Sequence, residues 1–383
     1  MKQTKLLAFL LALFLIASSL FSCQQPAHEP VPEEKEEQPE EPQVSVVYEL
    51  IVRNDQQHST AQTEYLKSRK YDTLPDEVDG KSEMSRPEPI ILKWTRKVTG
   101  ASTTGLTECA VVSEDEAFTN PIRIESANSR AEIYNVELGK TLYWYVEGKL
   151  GGKTYKSEVS TVTAADSAPR NLYVGGVTNC RDLGGWKTTD GDMLRQGQIF
   201  RTGRLSSVTS DGKNVLLKDL GVKTEIDLRI ESQVKSHGDS TDASKLGNSV
   251  KYVFTPMEWE HLGSYNILTA PVNEESLLKV FEIFGDESNY PILFHCSIGT
   301  DRTGLIAFLI LGLCGVAEQD LYRDFLFSGY GNIDKRPELG RLEGFLKTVK
   351  EASGSTLAEK IENYLLGRGV TAGQIATIRK MMK

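Results

Sequence analysis

Residues 295–304 read HCSIGTDRTG and stand between two apolar runs, PILF at 291–294 and LIAFLILGLC at 305–314. The first run suits a buried strand and the second a buried helix, so the polar stretch marks a strand-to-helix turn. In an α/β domain such a turn lies at the carboxyl edge of the sheet, where ligands bind. The backbone N–H groups of Ser297, Ile298, Gly299 and Thr300 would converge there, and the helix dipole adds partial positive charge. The point suits a phosphate. Cys296, at the mouth of the turn, would be held as thiolate and so be a nucleophile at neutral pH. Arg302, six residues on, can fold back and clamp two phosphate oxygens with its planar fork. Gly299 lets the backbone approach the anion, Thr303 can offer its hydroxyl to the sulfur, and His295 can orient the turn.

This H-C-x5-R-[ST] pattern resembles the signature of cysteine-dependent phosphatases of the protein tyrosine and dual-specificity type. Three upstream stretches extend the resemblance: GVTNCRDLGGW (176–186), IFRTGRLSSVT (199–209) and EIDLRIESQV (225–234), which look like motifs of bacterial lipoprotein-type tyrosine phosphatases. Downstream, GVAEQDLYRDFLFS resembles the helix that follows the loop in that branch. The resemblance implies a phosphomonoester hydrolase working through a phosphocysteine, on phosphotyrosine or dual-specificity protein substrates, with no metal or organic cofactor. It places Arg181, Asp182 and Arg229 with the substrate-binding residues, while Asp182 and Asp227 also read as carboxylates that hold arginines. Phosphoinositide and inositol phosphate phosphatases use the same loop, and remain the alternative. Thr300 stands where many relatives have lysine, which disfavours strongly anionic inositol lipids. Cys180 stands where the family has phenylalanine, either as a small core residue or as a resolving thiol for Cys296.

Phosphoryl transfer to water needs a proton donor for the leaving oxygen. The resemblance offers Asp301, inside the loop, and then Glu258 or Glu260 in TPMEWEHLG, near the place where relatives carry an acid on a mobile loop.

The elements that must hold these groups alternate between strand-like runs (VKTEIDLR, VKYVFT, YPILFHC) and helix-like ones (EESLLKVFEIFG, TGLIAFLILGL, LAEKIENYLL). That alternation predicts an α/β phosphatase domain with a mainly parallel sheet over 166–383, of a length that folds alone. Ahead of it, 44–165 offers short alternating segments separated by polar turns, the pattern of an all-β sandwich. The order of Trp94, VELGKTLYWYVEG and STVTAAD resembles a fibronectin type III module, with Trp94 in its core and Leu138, Gly139 and Tyr143 as its turn-then-tyrosine feature. A polar insert at 54–86 is long for such a module, and a ligand of this region's own is a further possible role.

The 383 residues carry a net charge of −9 and no basic tract, so a nucleic-acid partner is not expected. Residues 1–22 have the charged start and apolar run of a signal peptide, and LFSC resembles a lipobox that would acylate Cys23. Residues 23–43 form a Pro- and Glu-rich linker, with seven glutamates against one lysine. The expected place is the bacterial cell envelope, lipid-anchored and facing the periplasm or exterior. Besides Cys23, the cysteines are Cys109, Cys180, Cys296 and Cys314, without metal-ligand spacing.

Overall fold

Antiparallel strands come first along the chain, and strands alternating with helices follow. The computed structural model describes residues 43–54 and 57–383; the expected signal peptide, Cys23 and all of the expected acidic linker except Gln43 lie outside the described residues. The first half carries β1 (Ser45–Asn54), α1 (Thr60–Lys67), β2 (Ile90–Thr99), β3 (Thr107–Ser113), β4 (Ile122–Ser126), β5 (Arg130–Ile133), β6 (Thr141–Leu150), β7 (Lys153–Lys156) and β8 (Ser160–Thr163). One antiparallel sheet has the order β1-β2-β5, and a second runs β4-β3-β6-β7 with β8 also paired to β6. Alternation along β6 turns Leu142, Trp144 and Val146 inward. They meet Ile90, Leu92 and Trp94 of β2, Ala110 and Val112 of β3, and Ala131 and Ile133 of β5 in one apolar cluster. Trp94 is buried as expected. Tyr143, expected as the corner tyrosine, lies on the opposite face of β6 and is only half-buried, and Trp144 takes the core position.

The insert between β1 and β2 leaves this region. Ser59 caps α1 in a reciprocal capping box with Gln62. The helix and the chain that follows it pack on the catalytic half: Tyr65, Leu74 and Val78 are buried in the same cluster as Phe325, Phe327 and Tyr330. Backbone groups fasten it there. Tyr330 Oη donates to Ala61 O (3.1 Å), Arg323 Nη2 to Ser68 O (2.8 Å), Arg336 Nη2 to Leu74 O (2.6 Å) and Ile333 N to Gly80 O (2.8 Å). The insert is polar in composition because few of its side chains face this cluster, yet those few complete it. Val44–Lys383 accordingly forms one compact unit, with the expected 165/166 boundary in a short irregular stretch.

The second half adds β9 (Arg170–Asn171), β10 (Arg181–Asp182), β11 (Ile199–Thr202), β12 (Thr224–Asp227), β13 (Lys251–Phe254) and β14 (Ile292–His295) in the order β13-β12-β14-β11-β10-β9. The first four are mutually parallel, whereas β10 pairs antiparallel with β11 and β9. The sheet is therefore mixed rather than simply parallel. The physical reason is the connection: residues 183–198 join β10 to β11 as a loop without the crossover helix that parallel strands require. Helices α2 (Ser210–Asn214), α3 (Glu231–Ser236), α4 (Glu274–Phe284), α5 (Asp301–Leu313), α6 (Glu318–Leu326), α7 (Leu339–Lys350), α8 (Leu357–Gly367) and α9 (Ala372–Met382) complete the chain. Successive strand residues face opposite ways, so Ile292 and Phe294 pack towards α4 and α5 while Leu293 and Phe200 join Leu216 and Leu220 on the other side. Every residue of α5 is buried, which explains its unbroken apolar run.

Candidate active site

β14 ends at His295 and α5 begins at Asp301, so residues 296–300 make the turn. Gly299 has φ +74°, and a Cβ there would lie 2.5 Å from Thr202 O and 2.8 Å from Gly203 N. Only glycine fits. Three successive carbonyls of the turn are held from outside it. Ser297 O accepts from Arg204 N (3.1 Å), Ile298 O from Asn179 Nδ2 (3.0 Å), and Gly299 O from Arg201 Nη2 (2.6 Å). A planar trans peptide points its N–H opposite its C=O, so the N–H groups of Ile298, Gly299 and Thr300 face the inside. The Gly299 N–H donates to Cys296 Sγ at 3.3 Å.

Cys296 is 1 % exposed. Burial alone would raise its thiol, but the Arg302 guanidinium, with the hydroxyl and N–H of Thr303, outweighs it and brings the group below the ordinary thiol range. The Thr303 hydroxyl is close enough to favour thiolate yet takes no aligned hydrogen bond, and the buried hydroxyls of Ser297 and Thr300 also lack partners. Arg302 is fixed through one nitrogen: Nη1 donates to Gln233 Oε1 (2.9 Å), Leu228 O (3.1 Å) and Met257 O (3.2 Å). Its Nε and Nη2 make no hydrogen bond to a described residue, and that is the edge a guanidinium offers to two oxygens.

His295 lies beneath the turn. Its Nδ1 is 3.1 Å from Cys296 O and its Nε2 3.0 Å from Glu225 Oε1. Burial would lower the imidazole, but the nearby Asp227 and Glu225 carboxylates prevail and raise it. Both ring nitrogens are thus engaged by protein groups, which places His295 to orient the turn from beneath.

Three other residues expected at the substrate are committed elsewhere. Arg181 is buried, with Nε on Asp324 Oδ1 (2.9 Å) and Nη2 on Asp324 O (2.6 Å). Asp182 holds Arg170 Nη1 (3.0 Å) and accepts from Gly184 N (2.8 Å) and Gly197 N (2.6 Å). Arg229 is spanned by Asp227 Oδ2 and Asp239 Oδ2, each 2.7 Å away. The charges of these groups are already paired inside the protein. Asp324 serves two arginines, since Arg201 Nη1 also donates to it. The chain Arg181–Asp324–Arg201–Gly299 thus runs from β10 to the turn at 296–300.

Asp301 is nearly buried and faces Arg341, whose Nε is 3.6 Å from Oδ1. Burial pushes its carboxyl group up, only partly countered by Arg341. Glu258 lies in the loop after β13, its backbone N–H and C=O both bound by Asn273 at 2.8 Å. Glu260 points outward, half exposed beside His261. Trp259, between them, lies under two cations: the guanidinium centres of Arg302 and Arg341 are 5.9 and 5.7 Å from its ring centroid.

Cys180 and Cys296 belong to separate apolar clusters and both are free thiols. Burial pushes the Cys180 thiol up to about 12, which suits a core residue and not a resolving thiol. Cys314 is likewise a core residue. Sequence reasoning did not single out Asn179, Arg201, Arg204, Asp324, Gln233, Trp259 or Arg341, although all of these but Arg341 lie inside stretches that it quoted.

Residues 172–383 match the tyrosine phosphatase family. A protein of Cupriavidus necator named as a tyrosine-protein phosphatase is 26% identical over 211 residues, 49% of this chain and 74% of its own. One of Meyerozyma guilliermondii, named for the same class, is 30% identical over 170 residues, 43% of this chain and 86% of its own. The solved core catalytic domain of the PP-IP phosphatase SIW14 from S. cerevisiae, in complex with citrate, shares 20% identity over 40% of this chain and 83% of that one. Its TM-score of 0.28 is too low to compare the folds. The match that takes in β10 to α9, together with a cysteine–arginine loop whose amides face inward, shows that the chain belongs to the tyrosine phosphatase family.

Proposed function

We propose that the protein is a protein-tyrosine phosphatase that hydrolyses phosphomonoesters through a phosphocysteine. The carrying observation is the turn at 296–300, whose carbonyls are bound from behind so that its amides converge beside a stabilised thiolate. The Cys296 sulfur attacks phosphorus in line with the ester oxygen, the S–P bond forms as the P–O bond breaks, and the leaving oxygen takes the Asp301 proton. The free edge of Arg302 follows the equatorial oxygens. Water then attacks the phosphocysteine, giving its proton to the Asp301 carboxylate; the new P–O bond forms as the S–P bond breaks, the Cys296 thiolate is restored, and inorganic phosphate leaves.

Charge bookkeeping at the loop supports a single phosphoryl group over a polyphosphorylated inositol. Arg229 is paired with two aspartates, Arg201 with Asp324, and Arg341 with Asp301 and Glu338. Among the described residues that leaves Arg302 and Arg204 as the loop arginines without a carboxylate partner. A panel of phosphotyrosine peptide, phosphoserine peptide, soluble phosphoinositide and aryl phosphate tests the reading. The phosphotyrosine peptide should have the highest kcat/KM of the three biological substrates, with turnover retained in chelator, blocked by vanadate and abolished in Cys296→Ser. Activity surviving that substitution would overturn the mechanism, and preference for the phosphoinositide would overturn the substrate class.

Two further parts of the reading concern the first half of the chain. Residues 1–43 act as a lipoprotein leader and acidic spacer, holding the enzyme to a membrane of the bacterial cell envelope through Cys23. Incorporation of a labelled fatty acid, lost in Cys23→Ser, tests this. The strand orders β1-β2-β5 and β4-β3-β6-β7 support a fibronectin type III-like sandwich, which would carry a ligand of its own. Binding lost on deletion of that region, with the ligand unchanged, would identify it.

A further inference from the structure

Arg341 stands in the first turn of α7 and touches two parts of the site at once. Its Nε lies 3.6 Å from Asp301 Oδ1 and 2.7 Å from Glu338 Oε2. Its Nη1 donates to Trp259 O at 3.4 Å, and the guanidinium lies over the Trp259 ring. Its own carbonyl accepts from Asn266 Nδ2 at 2.7 Å, so the backbone that carries it is also fixed. The loop after β13 is thereby held at three consecutive carbonyls: Met257 O by Arg302, Glu258 O by Asn273 and Trp259 O by Arg341. Arg302 and Arg341 share the Trp259 ring, one holding the reacting phosphoryl group and the other the acid.

We propose that Arg341 is a positioning residue for proton donation, holding the Asp301 carboxyl group and the Trp259 loop in one arrangement beside the phosphoryl site. The inference rests on Asp301 being the acid. The charged groups facing Asp301 are Arg341, Glu338 and Lys335 from α7 and the stretch before it, and Arg302 from its own helix; the Cys296 sulfur feels Asp301 in turn. Glu260, from the loop, acts on Arg341. A neighbouring cation disfavours the protonated form that donates, so removing Arg341 raises the proton affinity of Asp301. Glu338, left without Arg341, would push it the same way.

The test is the pH dependence of kcat/KM on a phosphotyrosine peptide, which follows the free enzyme, measured on the full chain. In Arg341→Gln the alkaline limb should move up by about one pH unit, and the rate loss should be greater for phosphotyrosine than for an aryl phosphate with a good leaving group. Arg341→Lys should return the limb towards its original place without restoring the full rate, because a point charge cannot span both Asp301 and the Trp259 carbonyl. Glu338→Gln should move the limb down, since it removes a negative charge and frees Arg341 for Asp301. An Arg341→Gln profile that falls in height without moving would overturn the inference, as a merely structural arginine would do that. If Arg341→Gln does not fold, an unmoved limb in Glu338→Gln overturns it alone. Asp301→Asn separates the two readings: equal losses on both substrates remove Asp301 as the acid, whereas a selective loss there with a silent Arg341→Gln removes only the role of Arg341.

Discussion

In the mechanism proposed above, Arg302 acts twice, on the thiol before reaction and on the phosphoryl group during it. Its two roles can be pulled apart. Arg302→Lys keeps a positive charge near the sulfur but loses the planar edge, so kcat should fall by about 10²-fold or more while the acid limb of the pH profile stays nearly in place. Arg302→Ala removes the charge, and the sign follows from the chemistry: thiolate is the active form, the cation lowers its pKa, and the limb should move up. Equal limbs in the two variants would mean that the guanidinium does not set the state of Cys296. Cysteine and arginine were legible in sequence because six residues across one turn fix them together. Asn179 and Arg201 were not, because they reach Ile298 and Gly299 from 119 and 98 residues away. Arg181, Asp182 and Arg229 illustrate the converse. Residue type and motif placed them near the site, but only the structure reveals the carboxylates and amides that already occupy them.

At the level of elements, the loop works because β14 delivers it and α5 fixes its far end. Gly299→Ala tests how closely the turn must be kept: its Cβ would meet Thr202 O and Gly203 N, on the neighbouring strand end. A displacement of the amides by about 1 Å should lower kcat about 10²-fold, with the far-UV spectrum unchanged. A variant with the original rate would show that the turn relaxes without moving its amides. Helices α4, α5 and α8 and the strands β12, β13 and β14 could be read from periodicity, whereas β11 lay inside a stretch quoted only as a motif. β9 and β10 could not, since two-residue strands leave no pattern and exist only through their partners. The fate of the insert was equally hidden: an amphipathic segment shows that it needs an apolar partner but not which half of the chain supplies it.

For the whole molecule, that choice of partner matters more than the composition of the insert. A fragment of 166–383 contains all the catalytic side chains but lacks Tyr65, Leu74 and Val78, which fill the cluster beside α6 and the Phe327–Tyr330 turn. It should show a lower Tm than 44–383 and a tendency to aggregate, measured by thermal unfolding and light scattering. Equal Tm and equal kcat/KM would show that the insert is dispensable. Leu74→Ala in the full chain isolates one contact and should cost about 2–5 kcal/mol of stability, read from denaturant unfolding, while leaving the phosphate loop chemically intact.

The same arrangement sets an order on biosynthesis. Ser68 and the Arg323 that binds it are 255 residues apart in the chain. At about 5–20 residues per second, on the order of 10–50 s separates their emergence from a ribosome. The two antiparallel sheets can close once residue 163 has emerged, but until residue 323 follows, the insert hanging from them has no docking partner and its apolar side chains face water. The nascent chain therefore carries a temporary hydrophobic arm, and a holdase that recognises short aromatic-aliphatic segments would find its target at 65–78 before the enzyme is complete.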